Sequence, residues 1–140
     1  GTRVFNVEVP PDTRSKAAVS EPSIVLLKVP GLEAAGIKPI MLSGSSPTRG
    51  QPIIIPGFRS TYQATLVSGL VVSVSGKTKF NYDAATFPGS AGAPVLDALS
   101  SQVIGVHFGS VERDGKQIGF GATLNSISSD LSKLGVSAGP

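Results

Sequence analysis

Short apolar runs, separated by clusters of glycine, proline and serine, dominate the pattern of hydrophobic and polar positions along the chain. After residue 50 these runs recur about every 8–12 residues, a spacing typical of the strands of a β-sandwich or β-barrel. A Ser68-Gly69 pair predicts a break between two of them. The predicted strands of this part are 53–55, 62–67, 70–74, 77–82, 95–96, 103–108 and 118–124.

Both ends of the chain depart from this regular spacing. Before residue 50, an apolar run at 4–9 and a partly β-branched run at 24–29, the latter bounded by prolines, predict two more strands, the second of them buried. Near the C-terminus, apolar residues recur at helical spacing. They predict a short helix over 126–134, capped by Asn125 or Ser126. The fold class is therefore all-β with one short C-terminal helix.

Composition narrows the classes of function. Seventeen glycines and eleven prolines in 140 residues exclude a helical bundle or coiled coil. The absence of cysteine excludes a disulfide framework and a zinc–thiolate site. A net charge of +3, with basic residues scattered along the chain, does not indicate a nucleic-acid partner. No apolar run approaches the roughly 18 residues of a membrane span.

One segment has the character of a reactive loop. Residues 86–95, Thr-Phe-Pro-Gly-Ser-Ala-Gly-Ala-Pro-Val, place small residues around a sharp turn between two apolar runs. Such a turn can leave consecutive backbone N–H groups facing one point, where they would stabilise an oxyanion in acyl transfer. A simple loop between two strands explains the same composition, and composition alone does not separate the two interpretations.

The segment resembles the nucleophile motif Gly-x-Ser-Gly-x-Pro of trypsin-like proteases. Residues 89–94 match it at each fixed place except the nucleophile, where Ala91 stands. Thr86, Gly89 and Gly92 also fit the longer Thr-x-x-Gly-x-Ser-Gly pattern of sobemovirus- and polerovirus-type proteases. The runs 103–109 and 23–30 are similar to two further strands of those viral enzymes, and they follow in the same order.

This resemblance implies a chymotrypsin-like antiparallel β-barrel fold. Residues 1–42 would be the remaining strands of a first, partial barrel, and 43–50 a linker. Residues 51–140 would form a complete second barrel with the C-terminal helix. The open strands of the first part would then need a missing N-terminal barrel or a second chain as a partner.

The resemblance also implies roles for individual residues. The backbone N–H groups of Gly89 and Ala91 would form the oxyanion hole. Thr86 and His107 would line the specificity pocket and bind a Glu or Gln side chain, because hydroxyl and imidazole donors suit an amide or carboxylate acceptor. The alternative for His107 is a purely structural histidine. A lone histidine without cysteine or paired carboxylates predicts no metal and no cofactor.

The catalytic residues themselves are missing. Ala91 has no nucleophilic atom, and Ser23 stands where the family has its aspartate, with Glu21 the nearest carboxylate. The sole histidine follows the nucleophile position, whereas the family's base precedes it. Ser90 is an alternative candidate for the nucleophile. The Gly-x-Ser-x-Gly elbow, however, requires a glycine two residues before the serine, and Pro88 stands there. The chain is therefore predicted to be inactive.

Two classes of function remain. The first is a viral polyprotein-processing serine endopeptidase that cleaves after Glu or Gln, here in an inactive or truncated form, which would place it in the host-cell cytoplasm. The alternative is a noncatalytic, protease-like domain that binds a peptide or protein. In both cases the expected partner is a peptide or polyprotein segment. The substitution at Ala91 fits either an engineered protease or a natural loss of activity.

Overall fold

The computed structural model describes residues 27–60 and 63–133, which form six β-strands and one helix. Among these residues, no helix has the length and apolarity needed to cross a membrane. The strands are β1 (Pro52–Ser60), β2 (Gln63–Ser75), β3 (Lys79–Tyr82), β4 (Pro94–Asp97), β5 (Val103–Arg113) and β6 (Lys116–Thr123), and the helix is α1 (Leu124–Lys133).

The six strands close into one antiparallel barrel in the order β1-β2-β3-β6-β5-β4, with β4 pairing back onto β1. Long hairpins join β1 to β2 and β5 to β6. The short strands β3 and β4 complete the circle, and the loop between them, residues 83–93, lies outside the ladder. Because the barrel is closed, none of its six strands leaves a free edge, which favours stability of the barrel on its own. The predicted all-β, chymotrypsin-like barrel with a short C-terminal helix is confirmed.

Two apolar clusters hold the barrel together. The first fills its interior with alternate residues of the strands, as the two-residue period of a strand requires. It comprises Ile53, Ile55, Val71, Phe80, Tyr82, Ala84, Val95 and Ile104. The second lies between the outer wall and α1, and it comprises Leu96, Val103, Ala122, Leu124, Ile127 and Leu131. Because β5 contributes to both clusters, it is fixed on two faces, and this strand carries His107.

The predicted break at Ser68-Gly69 is wrong, since β2 runs without interruption through both residues. Gly69 has another role there. A Cβ at this position would lie 2.7 Å from Asp83 Oδ1 and 2.8 Å from Ala84 N, so the missing side chain lets the start of the β3–β4 loop cross closely. The Asp83 carboxylate accepts a hydrogen bond from Leu70 N–H at 2.7 Å and holds this crossing.

The turn and cap chemistry is local. Asp114 and Gly115, with φ of 53° and 76°, form the two-residue hairpin turn between β5 and β6, because both residue types tolerate a positive φ. The cap of α1 is Thr123 rather than Asn125 or Ser126. Its hydroxyl accepts the N–H of Ser126 at 3.1 Å, while the Ser126 hydroxyl donates back to Thr123 C=O at 2.8 Å. The helix accordingly starts two residues earlier than predicted.

The segment before the barrel is described only from residue 27. The predicted strand at 4–9 and most of that at 24–29 lie outside the described residues. Leu27 is half-exposed, so the burial predicted for the second strand is not seen at that position. Leu42 makes an isolated parallel bridge with Val103 and packs against the second cluster. The boundaries of a first barrel and a linker stay a prediction.

Candidate functional site

The loop between β3 and β4 turns sharply at a Pro-Gly pair. Ser90 N–H donates to Phe87 C=O at 3.1 Å, and Gly89 has a φ of 90°. Proline followed by a glycine of positive φ is the sequence of a type II turn, because proline presets the first corner and glycine tolerates the second. Residues 87–90 are therefore folded by their own sequence.

A second turn follows at once and places Ala91 at its corner. Ala93 N–H donates to Ser90 C=O at 3.0 Å, and Gly92 has a φ of 93°. Gly92 N–H donates to His107 C=O at 2.7 Å, and His107 N–H donates to Ala93 C=O at 2.8 Å. These bonds attach the tip of the loop to β5, so that an exposed loop is held by a buried strand.

The two turns leave alternate backbone donors free. The N–H groups of Ser90 and Gly92 are used within the loop and to β5. Those of Gly89 and Ala91 donate to none of the residues that the structure describes. Both residues are exposed. An oxyanion hole needs two such donors that converge on one point. This role for Gly89 and Ala91 stays a prediction.

His107 lies on the inner face of β5 and is 2% exposed. Its Nδ1 is hydrogen-bonded to the Tyr82 hydroxyl, and its Nε2 lies 3.2 Å from Thr86 Oγ1. All three side chains are buried. The structure thus brings Thr86 and His107 together, as the sequence motif predicted, and adds a third member.

The protonation of this group follows from its burial. Burial raises the pKa of Tyr82, so its phenol keeps its proton, and burial lowers the pKa of His107 below its ordinary value of 6.5. The phenol O–H then donates to Nδ1, and the neutral imidazole carries its hydrogen on Nε2. That hydrogen is directed to Thr86 Oγ1, which leaves the hydroxyl hydrogen of Thr86 free for another acceptor.

Thr86, His107 and the loop 89–91 line one cavity of about 360 Å³. The other residues around it are Phe87, Pro88, Phe108, Gly109, Ser110 and Gln117. None of these lining residues carries a formal charge when His107 is neutral. The cavity therefore offers a ligand hydrogen bonds and apolar contact rather than a salt bridge.

Two residues of this site, Tyr82 and Gln117, were not predicted from the sequence. Tyr82 orients His107, and its inward position in β3 could have been noticed, because a buried tyrosine needs a hydrogen-bond partner and the chain has a single histidine. Gln117 Nε2 donates to Thr86 C=O at 2.9 Å and to Ser110 Oγ at 3.0 Å, which ties the cavity wall to β6. No local pattern marks Gln117.

Other predicted residues do not join this group. Ser23, in the predicted acid position, and Glu21 lie outside the described residues. Ser90 is buried, and its hydroxyl forms no hydrogen bond with His107. Both ring nitrogens of His107 are already engaged, so it is not poised to act as a general base for residue 90 or 91.

Comparisons with known proteins agree with this geometry. The family model described as "Trypsin-like peptidase domain" matches residues 4–106. No curated protein matches the chain.

Among solved structures, the chain is similar to three crystal structures of Rv3671c from M. tuberculosis. The active form of that protease has a TM-score of 0.74 at 19% identity, covering 97% of this chain and 61% of that one. An inactive serine-to-alanine mutant has 0.72 at 23%, covering 94% and 65%. The inactive form of the protease has 0.67 at 22%, covering 86% and 67%.

The chain thus spans about two thirds of the length of the structures it matches, and at these identities the likeness shows the fold. The family assignment rests on the matched model, which covers more than half of the chain and includes the loop from Thr86 to Pro94. The chain belongs to the trypsin-like peptidase domain family.

Proposed function

We propose that this chain carries the substrate cleft of a serine endopeptidase, in a form that binds peptides without cleaving them. Ala91 takes the nucleophile position, and the cavity beside it receives a Glu or Gln side chain. The observation that carries the proposal is the buried chain of hydrogen bonds from Tyr82 through His107 to Thr86, which ends at this cavity.

The choice of side chain follows from the donors. Thr86 has a free hydroxyl hydrogen, and the Nε2–H of His107 lies behind it. A ligand with an oxygen acceptor accepts the Thr86 hydroxyl hydrogen, whereas an aliphatic ligand excludes water and leaves that hydrogen unpaired. An unpaired buried donor costs about 1–3 kcal/mol, enough to select Glu or Gln over Leu. A lysine side chain would place its own N–H donors against the Thr86 hydroxyl hydrogen.

The absence of cleavage follows from the same residues. A hydroxyl at position 91 would need a base, and the chain's one imidazole is occupied at both nitrogens. Ala91→Ser alone is therefore expected to leave the chain inactive. A longer form of the protein that supplies an upstream histidine and aspartate, with serine at 91, is expected to cleave.

Two parts of the initial expectation remain predictions. Processing of a viral polyprotein rests on the resemblance to sobemovirus-type enzymes, while the three similar structures described above are from a bacterium. A natural pseudoprotease remains the alternative, and the occluded His107 is the observation that favours it. A longer natural form that stays inert with serine at 91 would support that alternative.

Peptide binding tests the proposal directly, because a chain that does not cleave can be titrated to equilibrium. Acetylated peptides that end in Gln or Glu should bind more tightly than the same peptides ending in Leu or Lys. Thr86→Val, which removes the hydroxyl and keeps the branched shape, should abolish the difference, and Thr86→Ser should retain it. His107→Ala should also abolish it, with circular dichroism to show that the barrel still folds.

The matched control is Ser73→Ala, which removes an exposed hydroxyl bonded to Asn81 on the outer wall. It should leave the ranking of the peptides unchanged. Equal affinity for the Gln and Leu peptides in the unmodified chain would contradict the proposal and leave His107 a structural residue.

A further inference from the structure

A second cavity lies on the other side of the loop that carries Ala91. It is a groove of about 600 Å³ between that loop and the hairpin formed by β1 and β2. Its residues are Pro56, Gly57, Phe58, Ala64, Thr65, Leu66, Gly89, Ser90, Ala91, Ala93 and Pro94. We refer to it as the hairpin groove.

The hairpin groove is apolar and open. Phe58 is 63% exposed and Leu66 is 66% exposed, and none of the lining residues is charged. Pro56 pairs with Leu66 across the two strands, and Phe58 pairs with Ala64, so these four side chains share one face of the ribbon. Large apolar side chains in this degree of contact with water are typical of a binding surface.

The walls of the hairpin groove are held rigidly. One wall is a hydrogen-bonded strand pair of the closed barrel, and the other is the doubly turned loop attached to β5. The two walls are neighbours at Gly57, where an added Cβ would be in ordinary contact with Ser90 Oγ at 3.6 Å. A preformed groove of this kind binds with little cost of reorganisation.

The hairpin groove and the cavity of Thr86 and His107 share three residues, Gly89, Ser90 and Ala91. An extended peptide with one side chain in that cavity passes over Ala91, and it advances by about 3.3 Å per residue. Residues of the peptide on one side of the bound Glu or Gln can therefore reach the hairpin groove. This continuity identifies the occupant as the same peptide rather than a separate molecule.

We propose that the hairpin groove is a second specificity site, which binds a large apolar side chain within the three residues after the Glu or Gln. The inference rests on the proposed function, because it uses the same peptide with its Glu or Gln side chain in the same cavity. It implies that the preferred ligand has two anchors, a hydrogen-bond acceptor side chain and an aliphatic or aromatic side chain shortly after it.

The test uses acetylated peptides with Gln followed by three residues, with Leu placed at each of the three positions in turn in an alanine background. At one of these positions, Leu should bind about tenfold more tightly than Ala or Asp, since burying most of a leucine side chain supplies at least that factor. Leu66→Ser and Phe58→Ser should each remove the gain. Leu99→Ser, at an 86% exposed leucine of the β4–β5 turn, should preserve it.

Shorter peptides that end in Gln separate the two proposals. If they bind no better than peptides ending in Leu, the proposed function fails. If they do bind better and an added Leu changes nothing at any of the three positions, only the assignment of the hairpin groove fails. A loss of self-association in Leu66→Ser, seen by sedimentation without any change in peptide affinity, would also overturn the assignment in favour of a second copy of the chain.

Discussion

Removal of the Tyr82 hydroxyl tests how the site is organised. In Tyr82→Phe the ring stays in the barrel interior, but His107 Nδ1 loses the donor that it has among the described residues. Because His107 is almost fully buried, water cannot readily replace the phenol. An orphaned buried acceptor costs about 1–3 kcal/mol, a substantial part of the roughly 5–15 kcal/mol that stabilises a domain.

The variant should also change the state of the imidazole. With the phenol present, the hydrogen is held on Nε2, where Thr86 accepts it. Without the phenol, Nδ1 no longer has a donor, and the two neutral tautomers become closer in energy. We expect Tyr82→Phe to lower the free energy of unfolding and to weaken binding of the Gln peptide, although the residue does not line the cavity.

Urea unfolding at pH 7.5 measures the free energy of unfolding, and ¹⁵N NMR of the imidazole measures which ring nitrogen of His107 carries the hydrogen. Ser73→Ala, which removes an exposed hydroxyl, serves as the control and should change stability by less than about 0.5 kcal/mol. A Tyr82→Phe protein as stable as the control, with its imidazole hydrogen still only on Nε2, would refute the assigned donor directions. It would also show that Tyr82 acts in packing alone.

Four further changes test the surroundings of the site. Because burial holds the pKa of the folded-state His107 below 6.5, unfolding takes up a proton below that pH. The contribution to stability should be full above about pH 6.5, fall by up to ~1.4 kcal/mol per pH unit as the pH drops from there towards the folded pKa, and level off below it. A flat melting temperature between pH 7.5 and 5 would contradict this. Gly119→Ala should lower the free energy of unfolding by about 1–3 kcal/mol, because the added Cβ would lie 2.8 Å from Tyr82 Cδ2. An unchanged midpoint of urea unfolding would show that the Tyr82 ring can move freely. Gly92→Ala should lower the free energy of unfolding by about 1–2 kcal/mol because of its φ of 93° alone, since no atom lies within 4 Å of the added Cβ. It should also weaken peptide binding. Unchanged stability and unchanged peptide affinity would show that the turn is adaptable. Thr123→Val removes both the cap of α1 and the hydrogen bond from its hydroxyl to Lys77 C=O. Loss of the cap alone should lower the free energy of unfolding by about 0.5–2 kcal/mol, so the total should be at least that large, measured by the midpoint of the helical circular dichroism signal. The ranking of the peptides should not change.

The sequence was sufficient where the determining interactions are local. The pair Pro88-Gly89 encodes its turn through the allowed φ of each residue, and Asp114-Gly115 encodes a hairpin in the same way. The spacing of short apolar runs between turn residues predicted most strands of the barrel, because such runs mark the segments that are buried between turns. The family motif added Thr86 and His107, which no local rule connects.

Tertiary structure decided what depends on closure of the barrel. Gly69 has the sequence signature of a turn, yet it lies inside β2, because the approach of Asp83 and Ala84 requires a residue without a side chain there. Tyr82 and His107 are separated by 25 residues, and only the order β3-β6-β5 brings their rings together inside the barrel. The hairpin groove likewise exists only where two distant segments meet. Side-chain partners across a barrel depend on strand order and register, which a single sequence records only as a pattern of burial.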